Sequence, residues 1–353
     1  MGNITNWGTI DYSGLVYSSN DEDIKQYSLK KNDLLFNRTN SSEWVGKTAV
    51  YKEERPAIYA GYLIRVRPIL ISSDYLNYVM NSSYYRNWCY NVKTDAVNQS
   101  NINAQKLSQL MIPVPPLKEQ ERIASILSSL DDKIDLLHRE NKTLEAMAET
   151  IFRKWFIEEV RQEVLLGDVV ETTSGGTPSR KYEKYYQNGT IDWVKSKELN
   201  RSFLLKTEEK ITLEAVENSS AKFIPANSVL IAMYGATVGE YAIIAKEMTC
   251  NQAVCALKPN DNYPYTYLYL WAKFMQDDFL NLACGAAQQN ISQVLIKQQQ
   301  VCSDVDTVKQ FHSIVEPLFE KLKQNEIQLS SLEEMKNVIL HKLINNELNI
   351  NEL

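Results

Sequence analysis

The sequence is poor in the residues that metal and thiol chemistry require. Its 353 residues include three histidines and five cysteines (Cys89, Cys250, Cys255, Cys284 and Cys302), with no Cys-x-x-Cys pair among them. A zinc site is therefore not expected, and the thiols read as reduced and partly buried. Gly-x-Gly does not occur, which removes the tightest feature of nucleotide and methyl-donor loops. Asn-Pro-Pro and Asp-Pro-Pro are absent too, which argues against an amino-methyltransferase. No apolar run approaches the roughly 20 residues of a membrane helix, and no charged-then-apolar leader opens the chain, so a soluble intracellular protein is expected. Excess positive charge is also missing. The formal net charge is −6, so any case for nucleic-acid binding must rest on local sequence.

What is present is a core-forming composition and a long-period repeat. Apolar residues make up 44% and aromatics 10% of the chain, enough for packed cores, and the length allows two or three domains. Ile123 to Phe156 aligns without a gap on Phe311 to Ile344, with identities that include Ile126/Ile314, Leu130/Leu318, Leu144/Leu332, Met147/Met335 and Ile151/Ile339. Upstream, Gln99-Ser100-Asn101-Ile102 matches Gln288-Gln289-Asn290-Ile291, Arg67-Pro68 matches Lys258-Pro259, and Val45-Gly46-Lys47 matches Val238-Gly239-Glu240. Two copies of one domain-plus-helix unit would give this ordered series.

Each copy opens with short β-type runs, such as Ala57–Val66, Ser228–Met233 and Tyr241–Ala245, separated by Gly, Asn and Pro. Pro113-Val114-Pro115-Pro116 then stops regular structure, because proline fixes φ and cannot donate to a ladder. A helical pattern follows. Ile123, Leu127, Leu130, Ile134, Leu137, Asn141, Leu144, Ala148, Ile151 and Trp155 recur at spacings of four and three. Phe311, Val315, Leu318, Leu322, Asn325, Leu329, Leu332, Lys336, Ile339 and Leu343 repeat them in copy two. Such heptads predict a coiled coil, and about 40 residues give a helix roughly 60 Å long. Pro317 is expected to start or kink the second helix. Midpoint alignment of antiparallel helices sets Asn141 opposite Asn325 and Leu137 opposite Leu329, with Leu130, Leu144, Leu318 and Leu332 completing the candidate seam.

No catalytic or metal residue is nominated. Gly46-Lys47-Thr48 copies the end of a phosphate-binding loop, but Ser41 stands where the loop's first glycine belongs, so a β-turn is expected. Glu208-Glu209-Lys210 has a nuclease-like spacing without identifiable carboxylate partners and reads as a solvated charge run. His138, His312 and His341 fall in helical patterns with no nucleophile at recognisable spacing. The nucleic-acid signal lies in Arg180–Arg201. Arg180, Lys181, Lys184, Lys195, Lys197 and Arg201 interleave there with Tyr182, Tyr185, Tyr186 and Trp193, after Gly175-Gly176-Thr177-Pro178-Ser179. Basic side chains and loop amides meet phosphates, while polar side chains read base edges. Copy one offers Asn37, Arg38 and Thr39 in a polar loop, with Lys47 beyond it, and Tyr234 completes the candidate set.

With these residues in place, the chain resembles the specificity subunits of type I restriction-modification systems. The resemblance is carried by Ile112-Pro113-Val114-Pro115-Pro116-Leu117-Lys118-Glu119-Gln120 running into Ile123–Leu130, by Leu166-Gly167-Asp168, by the Gly175–Ser179 loop and by Ile191-Asp192-Trp193-Val194-Lys195. Copy two departs from the pattern, with Gln298-Gln299-Gln300-Val301-Cys302 in place of the prolines.

The resemblance implies an α+β protein: two β-rich target-recognition domains in pseudo-twofold repeat, separated by two long antiparallel coiled-coil helices. The expected divisions are domain one at 1–116, helix one at 117–160, domain two at 161–305, helix two at 306–345 and a tail at 346–353. It implies a non-catalytic reader of double-stranded DNA in the prokaryotic cytoplasm, associated with the nucleoid and not with a membrane. Two modification subunits and two restriction subunits would be its partners. S-adenosylmethionine, ATP and Mg²⁺ would sit on those partners and no cofactor on this chain.

Two rival classes remain: a coiled-coil scaffold whose β-rich domains bind protein or carbohydrate, and a nuclease of unfamiliar type. Alignment of the copies sets Met1 level with Val194, so the first domain is expected to be incomplete at its N-terminus.

Overall fold

The computed structural model describes residues 2–97, 99–200, 202–284 and 290–344. Arg201, Gln288 and Gln289 and the tail 346–353 lie outside them. The chain divides into two compact units, Met1–Asp135 with Ser331–Leu353, and Leu136–Ser330. Each unit therefore takes a segment from both long helices.

In the first unit, Leu34–Asn37 forms the middle of a three-stranded antiparallel sheet between Thr48–Val50 and Leu63–Val66. All four residues of the middle strand are buried. Leu34 and Phe36 enter one core with Val45, Tyr85 and Ile102, while Leu35 packs with Ile4 and Ala49 on the other face. In the second unit, Val229–Ala232 takes the same place between Tyr241–Ile244 and Val254–Lys258. Phe203–Leu204 and Glu171–Ser174 extend that sheet to five strands. A second sheet there sets Ile191–Val194 between Lys210–Ile211 and Thr249–Cys250.

The two units share their backbone bonds as well as their strand plan. Asn37 N–H donates to Lys47 O (2.8 Å) and Gly46 N–H to Asn37 O (2.8 Å). Ala232 N–H donates to Glu240 O (2.8 Å) and Gly239 N–H to Ala232 O (3.0 Å) in the same way. The two turn glycines have φ of 91° and 82°, the left-handed region that favours glycine. At Gly46 a Cβ would also lie 2.5 Å from Cys89 Sγ. Gly46-Lys47-Thr48 is thus a turn leading into a strand. Farther along, Ile102 N–H donates to Arg38 O and Ile291 N–H to Met233 O, both at 2.9 Å. This correspondence starts where Leu29 N–H meets Ala57 O and Ile224 N–H meets Met248 O. Before it the units differ: Ile4 bridges Ile10 ahead of the helix Asp21–Tyr27 in the first, while the second builds Glu163–Leu165 through Leu213–Glu217.

The first long helix runs Leu117–Phe152 and continues as a π-helix over Arg153–Glu158. It is anchored by buried Gln120, whose Nε2 donates to Pro115 O (2.7 Å) and whose Oε1 accepts from Ser72 N–H (2.8 Å). The second long helix runs Val305–Ile344 with Pro317 inside it. The expectation that the proline starts this helix is therefore corrected: the helix begins twelve residues earlier, and the missing donor falls inside the run. The second copy replaces the prolines by pairing Gln300–Cys302 with Glu163–Leu165. Trp155, assigned to the regular seam, sits in the π-helix beside Phe311 (6.2 Å between centroids), and Phe152 packs on Phe274 and Tyr267.

Within the second unit the long helices pack antiparallel in the register expected. Asn325 Nδ2 donates to Asn141 Oδ1 (2.8 Å) and Glu140 Oε2 (2.9 Å), and Asn141 Nδ2 donates to Glu326 Oε1 (3.0 Å). Leu137 and Leu329 are each 1% exposed, and Leu144 and Leu318 pack at the margin of the main core. Within the first unit, Leu130 and Ile339 pack with Ile123, Leu127 and Leu340. Leu332 is half-buried, and Lys336 pairs with Asp131, which also accepts from Tyr78 OH (2.9 Å).

Replacing either Asn141 or Asn325 alone by Leu leaves the other amide buried without its partner, at a cost of about 1–3 kcal/mol. The double Leu variant is expected to be more stable than either single variant and to admit slipped helix pairings. Thermal unfolding of all three proteins checks this, and strict additivity of the two losses would contradict the direct amide contact.

Candidate nucleic-acid interface

The Gly175–Ser179 loop is held from behind. Gly176 N–H donates to Cys250 O (2.9 Å), and Trp193 Nε1 donates to Gly176 O (3.0 Å). A Cβ at Gly175 would lie 2.0 Å from Cys250 O, and one at Gly176 would lie 2.3 Å from Ser220. These glycines serve close packing, not the cradling of a phosphate. Trp193 is 3% exposed and belongs to the core with Tyr185, Ile211 and Ala215. Burial removes it from any DNA-facing surface, which corrects its nomination.

The basic stretch is also different from its reading as free positive surface. Arg180 lies over Tyr186 (3.9 Å) and Trp193 (5.5 Å) and pairs with Glu209 through both terminal guanidinium nitrogens, Nη2 to Oε2 at 2.7 Å. Lys195 reaches Glu208 (3.3 Å) and Glu209 (3.5 Å), Lys197 reaches Glu208 (2.7 Å), and Lys184 pairs with Glu214. Glu208 and Glu209 supply the compensating charge from outside the 180–201 window. Glu208-Glu209-Lys210 is accordingly a surface charge run whose members are ion-paired, with Lys210 facing Asp192 at 3.7 Å.

Arg180 holds the Glu209 carboxyl below its ordinary range. Burial pulls Asp192 upward, but Lys246 at 2.7 Å, the Thr207 amide and Lys210 outweigh it and leave the net shift downward. Lys181 is exposed with no partner among the described residues, beside exposed Ser179 and Tyr182.

Three loops of the second unit meet at this edge. Exposed Thr177 Oγ1 donates to Gln252 Oε1. Ala253 O accepts from Met233 N–H (2.7 Å), and the adjacent Tyr234 is 42% exposed and bridges Asn290. Thr39 occupies the same position in the first unit. It pairs with Asn101, whose Nδ2 donates to Thr39 Oγ1 (2.7 Å). Thr39 and Tyr234, nominated separately, thus stand at one structural position. Asn101 and Asn290 are the residues that sequence reasoning passed over, although the Gln99–Ile102 match contained them. Asn37 is fully buried and leaves the candidate surface. Arg38 is half-buried, with its backbone bonded to Tyr62 and Ile102. Lys47 is 8% exposed and donates to Asn6 Oδ1 (3.2 Å).

Among the described residues no group of His, Cys, Asp and Glu has metal-binding geometry, and no helix is long and apolar enough to cross a membrane. Cys89, Cys250, Cys255 and Cys302 are free and buried. Burial pushes Cys89 up to about 11 and Cys250 and Cys255 up to about 12, away from nucleophilic use.

Replacing Arg180 by Ala removes a half-exposed ion pair and an aromatic contact. It is expected to cost about 1 kcal/mol after allowance for solvent screening. Glu209 is depressed in the folded protein, so its contribution is present above its ordinary pKa and fades as pH falls below that range. Thermal unfolding from pH 7 down to pH 3 checks this: the deficit of the variant should shrink with acid, and a constant deficit would detach it from Glu209.

The family model for the type I restriction modification DNA specificity domain matches the chain twice, over residues 2–146 and 159–302. The MjaIX specificity subunit of Methanocaldococcus jannaschii is 24% identical over 307 residues, covering 80% of this chain and 71% of that protein. The EcoR124I/EcoR124II specificity subunit of Escherichia coli is 31% identical over 193 residues, covering 50% of this chain and 46% of that protein. The type I S subunit from M. genitalium shares the fold with a TM-score of 0.55 at 16% identity, over 91% of this chain and 84% of the other. With both of its repeats matched by one family model, the chain belongs to the type I restriction modification DNA specificity family.

Proposed function

We propose that this chain reads a bipartite DNA target, one half with each unit, and directs adenine methylation and restriction by partner subunits. The observation that carries the reading is the pair of loops at Thr39 and Tyr234. They sit on matching backbone bonds opposite an asparagine in two copies of one fold, yet one carries a threonine and the other an exposed tyrosine. Two readers of different half-sites require a common frame with unlike contact residues. Lys181, Thr177, Gln252 and Tyr234 form the accessible part of the second reader. Thr39, Asn101 and the following loop form that of the first. The chain acts without its own catalytic centre. Two modification subunits bring S-adenosylmethionine, and two restriction subunits bring ATP and Mg²⁺, in the cytoplasm.

Long-read mapping of methylated adenines, with and without this gene, tests the reading. A bipartite motif should vanish with the gene. Replacing Tyr234 by Ala and Gln252 by Ala should relax one half of that motif by roughly 1–3 kcal/mol per lost base contact and leave the other half intact. Equal relaxation of both halves, or an unchanged motif in the deletion strain, would refute the assignment.

A further inference from the structure

Two cations in the first unit lack a counter-charge among the described residues. Lys47 is 8% exposed, and its Nζ donates to the neutral Asn6 Oδ1 at 3.2 Å. Arg86, on the helix Ser83–Val92, has a buried Nη1 with no hydrogen-bond partner among the described residues. Both cations lie against one indole ring, Lys47 Nζ at 5.7 Å and Arg86 Cζ at 5.8 Å from the Trp44 centroid. The helix is pinned to the turn that carries Lys47 by Tyr85 OH, which donates to Gly46 O at 2.9 Å. Burial, reinforced by Arg86, lowers the pKa of Lys47. Among the described residues no carboxylate pairs with either cation.

Such an arrangement is unfavourable as it stands. Like charges held in a desolvated place repel, and a buried guanidinium N–H needs an acceptor. The Trp44 ring face recovers only part of this cost. An oxyanion would supply both missing terms, because it brings negative charge and several acceptor oxygens.

Among the described residues the second unit has no such site. Its matching turn carries Glu240 where the first carries Lys47. A Cβ at Gly239 would meet Gln276 and Phe279, where one at Gly46 would meet Tyr85 and Cys89. The backbone frame is shared, and the pair of cations is private to the first unit.

We propose that Lys47, Arg86 and Trp44 form an oxyanion site that takes a backbone phosphate of the DNA bound by the first unit. The source of that phosphate rests on the DNA-reading function; the site itself rests on the unpaired cations alone.

The test uses the full chain assembled with its modification subunits and a duplex carrying the mapped motif. Replacing Arg86 by Gln should lower the log–log slope of affinity against salt by about one, equally for target and non-target duplex. Arg86→Lys, which keeps the charge, should retain the slope. A single neutral methylphosphonate moved along the first half-site should, at one position, bring the wild type down to the affinity of Arg86→Gln while leaving that variant unaffected. In a second arm without DNA, inorganic phosphate should raise the melting temperature of the wild-type chain and not that of Arg86→Gln. If phosphate stabilises and the methylphosphonate scan is silent, the site stands and takes a free oxyanion. An unchanged salt slope together with no response to phosphate overturns it. A wild-type complex indifferent to the target duplex, yet stabilised by phosphate, sinks the DNA reading and leaves the site.

Discussion

The amide contact between Asn141 and Asn325 is the constraint on which the helix pairing depends. Every other position nominated for this stretch of seam is apolar, and an apolar seam tolerates displacement by a heptad at little cost. A buried amide does not, because a slipped partner would leave its donors and acceptor without bonds in a low-dielectric place. Here the Asn325 amide donates to Asn141 Oδ1 and to Glu140, and the Asn141 amide donates to Glu326. Asn325 Oδ1 is still buried without a partner among the described residues. The layer thus carries a stability cost in exchange for position.

The repeat gives this layer a second consequence. The counterpart of Asn141 in the second helix is Leu329, and the counterpart of Asn325 in the first is Leu137. If the first helix paired antiparallel with another copy of itself, Asn141 would face Leu137. The second helix paired with its own copy would set Asn325 against Leu329. Both arrangements bury an amide against a leucine, whereas the pairing within one chain joins amide to amide and leucine to leucine. A duplicated sequence is prone to such exchanges, and one polar layer placed off the pseudo-symmetric centre counts against them.

Legibility in the sequence followed the range of the interaction. The helices and their seam could be read because heptad spacing is local, and the register could be read because the seam held two asparagines. The shared turn was visible as Val45-Gly46-Lys47 against Val238-Gly239-Glu240, since a left-handed glycine leaves a mark in sequence. The fates of Trp193 and Asn37 could not be read: an aromatic amid lysines looks like a stacking surface until the Gly176 carbonyl claims its N–H. Arg180 looked free because its carboxylate partner lies 29 residues away in the chain. The π-helix over Arg153–Glu158 left no mark either, because it follows from how Phe152 and Phe156 pack among Tyr267 and Phe311.

The charge pattern then takes a different meaning from its first appearance. A chain of net charge −6 cannot hold DNA through bulk attraction, and most of the lysines and arginines of the aromatic-rich stretch are committed to nearby carboxylates. Their work is mechanical. Arg180 ties the end of the Gly175–Ser179 loop to Glu209, just before the strand Lys210–Ile211, and Lys246 and Lys210 hold buried Asp192 on the middle strand. Ion pairs used this way stiffen loops that carry few packed apolar contacts of their own, and a stiff loop loses less entropy when it meets a partner. What remains for contact is sparse: Lys181, polar side chains on the meeting loops and an exposed tyrosine. Sparse contacts on rigid supports favour discrimination over affinity, because a misplaced base cannot be accommodated by a loop that does not yield. Much of the affinity must then come from elsewhere in the assembly, which suits a subunit that selects a site for others to act on.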